Sequence, residues 1–179
     1  DNLYLRERAT ETNVKSTDLS TFKVISFATH GLIAGEITGL AEPALVLTPP
    51  EKGSIEDDGL LTASEITQLN LNADWILLSA CNTAAGETLE AEGLSGLARA
   101  FIYAGARSML VSHWSVESNA TTKLTTGIFK ELKEDPDMDR AEALQQSMLN
   151  LMTSTQYPHY AHPAFWAPFS LVGDGLSIN

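Results

Sequence analysis

The sequence predicts an α/β domain built on a mostly parallel central sheet with helices on both sides. Three observations carry that prediction. Short apolar runs recur and end in a polar residue followed by small ones, as in Lys23–Thr29, Asp74–Ala80 and Arg107–His113. Stretches with helical periodicity separate them, so strand and helix alternate as parallel connections require. The chain, 179 residues long and 44% hydrophobic, is large enough for one domain to bury its own core without a disulfide or a metal.

Taken in order, Leu3 to Arg6 reads as a short strand and the residues through Val14 as a modest helix. The run Lys23 to Thr29 is the first strong strand. Gly31, Gly35 and Gly39 punctuate the next segment as an irregular loop. Ala44 to Leu47 is a short strand that Pro49-Pro50 ends. Thr62-Ala63-Ser64-Glu65 has the form of a capping box and opens a short helix. After the strand Asp74 to Ala80, an acidic loop leads to a helix from Leu94 to Ala104, which Gly105 stops. Arg107 to His113 is the next strand. Glu117 to Lys133 is a helix with the stripe Leu124, Ile128 and Leu132, although Gly127 interrupts it. Asp139 and Glu142 resemble a second capping box, opening a helix whose apolar stripe is Leu144, Met148, Leu151 and Met152. Phe165 to Val172 closes the chain as a strand, with Pro168 implying an edge position or a bulge.

Composition excludes several classes of function. The net charge of −12 opposes direct binding of nucleic acid, which needs clustered Lys and Arg. The acid is concentrated in Glu56-Asp57-Asp58, Glu87 to Glu92 and Glu131 to Asp139, which read first as a solubilising surface. No apolar run approaches the ~20 residues needed to cross a bilayer, so no membrane partner is expected. A single Cys forms no internal disulfide and fits a reducing cytoplasm. It also cannot supply a thiolate-rich zinc site, and the four His residues are scattered. No metal and no cofactor are therefore expected. Because residue 1 is Asp rather than Met, the chain is expected to be a piece of a longer polypeptide.

The chemistry-bearing residues are His30 and Cys81, each placed where an apolar strand runs out. In open α/β sheets the loops at the carboxyl ends of the strands build the site. Two neighbouring strands would thus bring an imidazole and a thiol together, although 51 positions separate them. That pairing suits a cysteine nucleophile and its base. A lone Cys is commonly a buried apolar filler, but Cys81 stands beyond its strand, among Ser79, Ala80, Asn82 and Thr83. A histidine at a strand end commonly just holds its loop; Gly31 tips the reading for His30. A glycine directly after the base lets a backbone N–H approach a substrate carbonyl. The N–H groups of Gly31 and Cys81 could together form an oxyanion hole.

These residues and others resemble a CHAT domain. The resemblance rests on Phe27-Ala28-Thr29-His30-Gly31, Asp58-Gly59-Leu60-Leu61-Thr62 and Leu78-Ser79-Ala80-Cys81-Asn82-Thr83. It continues through Gly93 to Phe101, Tyr103 to Ser108, Ser112-His113-Trp114-Ser115-Val116 and Phe165-Trp166-Ala167-Pro168-Phe169. The motifs run in order from about Thr10 to Gly173, so a single domain over 1–179 is expected. What the resemblance implies is a caspase-like three-layer sandwich, related to caspases and separase, whose first strand would lie before Asp1. It also implies a catalytic dyad at His30 and Cys81, and attachment to helical repeats.

The expected reaction is hydrolysis of a protein or peptide substrate by a cysteine endopeptidase, with an activating protein partner possible. Trp114 would line the substrate pocket, a role in which core packing competes equally. Glu117 would offer acid to a basic P1 residue, although a carboxylate at a helix N-terminus is favoured there in any case. Caspase-like specificity for Asp is not expected, because no Lys or Arg follows Cys81 until Arg99. The alternative from another class is a catalytically silent interaction or signalling scaffold with the same fold.

Overall fold

The computed structural model describes residues 2–54, 56–78 and 96–174. A 3-10 turn at Arg6–Arg8 leads into helix α1 (Glu11–Ser16), capped by the Thr10 side chain. Strands β1 (Val24–Phe27), β2 (His30–Leu32), β3 (Ala44–Val46) and β4 (Leu60–Thr62) follow, then the short helix α2 (Ala63–Ile66). The remaining elements are β5 (Trp75–Leu78), α3 (Gly96–Tyr103), β6 (Ser108–Ser112), α4 (Ser118–Glu134), α5 (Arg140–Met152) and β7 (Phe169–Gly173).

The strands form two sheets. The larger has the order β1-β5-β6-β7, with β1, β5 and β6 parallel and β7 antiparallel at the edge. The smaller is the antiparallel order β2-β3-β4. Alternation along the central strands divides the core. Ile76, Leu78, Met109 and Val111 pack with Leu97 and Phe101 of α3 and with Leu45 and Leu61 of the small sheet. Trp75, Leu77 and Leu110 face the other way, onto Leu124 and Ile128 of α4 and Leu144 and Leu151 of α5. Side chains therefore alternate between two buried faces, which explains why these strands read as unbroken apolar runs.

Local chemistry fixes the ends. At Thr62 the hydroxyl accepts from the Glu65 N–H while the Glu65 carboxylate accepts from Thr62, completing the expected capping box. Asp139 likewise accepts from the Glu142 N–H at 2.7 Å. After α3, Gly105 turns the chain with φ 112° and lies so close to Leu71 that a Cβ would meet its carbonyl oxygen at 2.3 Å. Gly127 is the contact point of α4 with α5, where a Cβ would meet Ser147 Oγ at 2.3 Å. A residue that weakens the helix on paper thus lets two helices approach.

Four points of the sequence reading need correction. Leu3 to Arg6 is not a strand: the described chain there is irregular before a 3-10 turn, and Leu3 and Leu5 are largely exposed. The segment after His30 is not wholly a loop, since His30–Leu32 is β2. Nor does the reading contain β4 at Leu60–Thr62. Three-residue strands are too short to display a period, and long-range pairing decides them. The closing strand begins at Phe169 rather than Phe165, because Pro163–Phe165 forms a 3-10 turn.

Candidate active site at the carboxyl edge of the sheet

The β1–β5 pair sets the frame of the site. Their register runs Val24↔Trp75 to Phe27↔Leu78, in parallel. His30 lies three positions beyond Phe27, and Cys81 three positions beyond Leu78. Cys81, with its backbone N–H, Asn82 and the Glu87 to Glu92 loop, falls outside the described residues.

His30 opens β2 opposite Val46, and Gly31 faces Leu45. The preceding residue anchors the crossing, with the Thr29 hydroxyl donating to the Val46 carbonyl. The chain therefore leaves the large sheet at Phe27 and joins the small one at His30, and the imidazole sits exposed at that junction. Gly31 is a strand residue here, not the loop residue expected. Thr29 is the feature that residue-by-residue reading missed. Its only sequence signal is a hydroxyl directly before the imidazole.

Trp114 and Glu117 lie farther along the same edge. Trp114 stands two residues beyond β6, is 43% exposed, and donates its indole N–H to the Ala164 carbonyl at 3.4 Å. Glu117 is the N-cap residue of α4 without a side-chain capping bond, and its carboxylate accepts from Asn119 at 3.3 Å. Burial, with the nearby Glu117 carboxylate, pushes the Tyr160 phenol up. Since β5 separates β1 from β6, and adjacent strands are ~4.8 Å apart, Trp114 is roughly two strand spacings from the β1 end. Trp114 meets the 157–166 segment at Ala164, and Glu117 meets it at Tyr160. His113 Nε2 pairs with Ser170 Oγ at 3.0 Å, tying β6 to β7 beside Trp114.

A cavity of about 460 Å³ lies beside β1, walled by Val24, Ser26 and Ala28, by Leu77 and Leu110, and by Phe129 of α4. Four α4 threonines also line it: Thr121, Thr122, Thr125 and Thr126. Their hydroxyls donate to the carbonyls of Glu117, Ser118, Thr121 and Thr122. Its size is within the range of ligand pockets, and among the described residues that line it, hydroxyls are present but no titratable side chain. Among the described residues, no group of three or more His, Cys, Asp or Glu is placed to hold a metal ion. No described helix is long and apolar enough to cross a membrane.

A mostly parallel α/β sheet with helices on both sides is compatible with the caspase-related class of domains. The chain belongs to the CHAT domain family, which it matches over residues 2–174. It is also similar to Tetratricopeptide repeat protein 28 of Mus musculus, with 28% identity over 171 residues, covering 87% of this chain and 7% of that protein. The protein of the same name from Homo sapiens is 27% identical over 205 residues, covering 96% of this chain and 8% of its own length. The chain therefore spans less than a tenth of the curated relatives it matches.

Proposed function

We propose that this domain is a cysteine endopeptidase, or the peptidase module of a larger protein, working through Cys81 and His30. The observation that carries the reading is the β1–β5 register, in which residues three positions beyond each strand end are an imidazole and a thiol. In the proposed reaction His30 takes the thiol proton and Cys81 Sγ attacks the scissile carbonyl. The backbone N–H groups of Gly31 and Cys81 hold the developing oxyanion. His30 then gives the proton to the departing amine, leaving a thioester, and water attacks the acyl carbon with His30 as base. Carboxylic acid and free thiol result. Trp114 and Glu117 line the substrate side, and an extended polypeptide is the substrate class. The caspase-like sandwich, an activating protein partner, and a reducing, cytoplasmic compartment belong to the same proposal.

Exposure of His30 and the placement of Gly31 inside a β-ladder favour a second reading, a silent scaffold that uses the fold to relay partner binding. Alkylation of the single thiol by iodoacetamide, followed by intact mass across pH, separates the two. Under the peptidase reading Cys81 reacts quickly near neutral pH and slows in His30→Ala. A slow reaction that ignores the substitution would sink the dyad and leave the scaffold.

A further inference from the structure

The strand that begins at His30 is held from a distance by the amino-terminal segment. Beyond its own local bonds, the segment from Arg6 to Lys15 bonds to the connection between β3 and β4 and to α2. Thr48 donates its N–H to the Ala9 carbonyl at 2.8 Å and its hydroxyl to the Arg6 carbonyl at 2.6 Å. Arg6 itself has φ 50°, a conformation disfavoured for a residue with a side chain. Thr12 caps Asp57 through its N–H, at 3.1 Å, and its hydroxyl. Glu11, 1% exposed, accepts from the Asp58 and Gly59 N–H groups at 3.1 and 3.2 Å. Lys15 joins the Glu11 carboxylate to the Glu65 carboxylate, 2.7 Å from Lys15 Nζ, and to the Glu56 carbonyl at 2.8 Å.

The path from that clamp to the imidazole is short. The Gly59 carbonyl, one peptide on from the nitrogens that Glu11 holds, accepts from the Leu47 N–H at 2.8 Å. Leu47 follows Val46, which pairs with His30 and accepts from the Thr29 hydroxyl. A buried carboxylate has few alternative partners, so losing it would leave two backbone donors unpaired. The small sheet would then be free to shift against α1. We infer that Glu11, supported by Lys15, is a positioning residue for His30, setting the imidazole through the β3–β4 connection. A pull on α1 would be felt at the carboxyl edge. The importance of that placement rests on the peptidase reading; the placement itself does not.

The test is hydrogen–deuterium exchange in the intact protein, read separately over residues 29–32 and over β6. In Glu11→Ala the 29–32 amides should exchange at least about tenfold faster, the equivalent of one lost charge-assisted hydrogen bond, with β6 unchanged. Glu11→Gln, which keeps an acceptor for the two N–H groups, should recover most of the protection. Should Glu11→Ala fail to fold, Glu11→Gln and Thr48→Val decide, each expected to loosen 29–32 by a few fold ahead of β6. Unchanged exchange at 29–32, or equal acceleration at both places, overturns the inference. Cys81 alkylation in the same variants isolates the reading beneath it. If 29–32 loosens and the thiol rate does not move, Glu11 still positions His30 and the dyad is what fails.

Discussion

The two ends of the large sheet treat charge in opposite ways. At the amino ends of the parallel strands, Asp74, Ser108 and Arg140 are all 4% exposed or less. Arg140 donates to Ser108 Oγ at 3.0 Å and to the Asp174 carbonyl at 3.1 Å. Asp74 faces Arg107 at 3.3 Å and Lys23 at 3.6 Å. At the carboxyl ends His30, His113 and Trp114 are exposed. A buried ion costs several kcal/mol to desolvate, so it persists only when partners surround it. One end therefore seals the fold, while the other leaves imidazole and indole where a polypeptide could reach them.

Four substitutions would break or sharpen that contrast. Under the peptidase proposal, His30→Ala should have the largest effect on turnover, at least about a hundredfold. Because the imidazole is exposed, it should move stability by no more than about 0.5 kcal/mol. Peptide-library turnover and urea midpoints, measured on one preparation, check both halves. Arg140→Ala is its mirror image. It removes the buried guanidinium that donates to Ser108 Oγ and to the Asp174 carbonyl and should destabilise by about 3 kcal/mol, with alkylation of Cys81 in the folded fraction unchanged. A neutral Arg140→Ala would mean that these two buried bonds add nothing net to stability.

Gly127→Ala tests the layer between these ends. The helix gains about 1 kcal/mol of propensity, but the new methyl displaces Ser147 Oγ, whose bond to the Leu124 carbonyl is 2.7 Å long and buried. A net loss of about 1 kcal/mol is expected, largely recovered in the Gly127→Ala/Ser147→Ala pair, by thermal unfolding.

The smallest effect lies at the amino-terminal clamp. Burial pulls Glu65 upward, but bonds from Lys15 and Thr62 outweigh it and hold the carboxyl below its ordinary range. Burial and the Glu65 charge leave Glu11 raised. A depressed carboxylate contributes stability above its unfolded pKa that is lost as pH falls through the folded value. A raised one loses stability as pH rises through its folded value. Glu65 thus favours neutral pH, Glu11 partly opposes it, and Glu65→Gln should flatten the loss between about pH 6 and about pH 3. Urea midpoints at the two pH values read the difference; an undiminished slope would assign the acid loss elsewhere.

What the sequence made legible follows from length and locality. β5 and β6 announce themselves as unbroken apolar runs, and α4 and α5 through an apolar stripe, with Asp139 capping α5, all local signals. β2 and β4 do not, because three residues carry no period and their partner lies twelve or more positions away. His30 was legible as a strand-end imidazole, yet its placement in a second sheet depends on Val46 and Thr29. Arg140 and Glu11 were not legible at all. Nothing local distinguishes a buried charge from a solvated one when its partners come from distant elements.

The threonine face of α4 bears on what a hydropathy profile can measure. Each of those four hydroxyls is already committed to a carbonyl of its own helix, so what the side chain turns to the cavity is chiefly its methyl group. The wall is oily although its residues are named polar. Replacing such a threonine by valine would alter the written sequence far more than the surface a neighbouring molecule would touch.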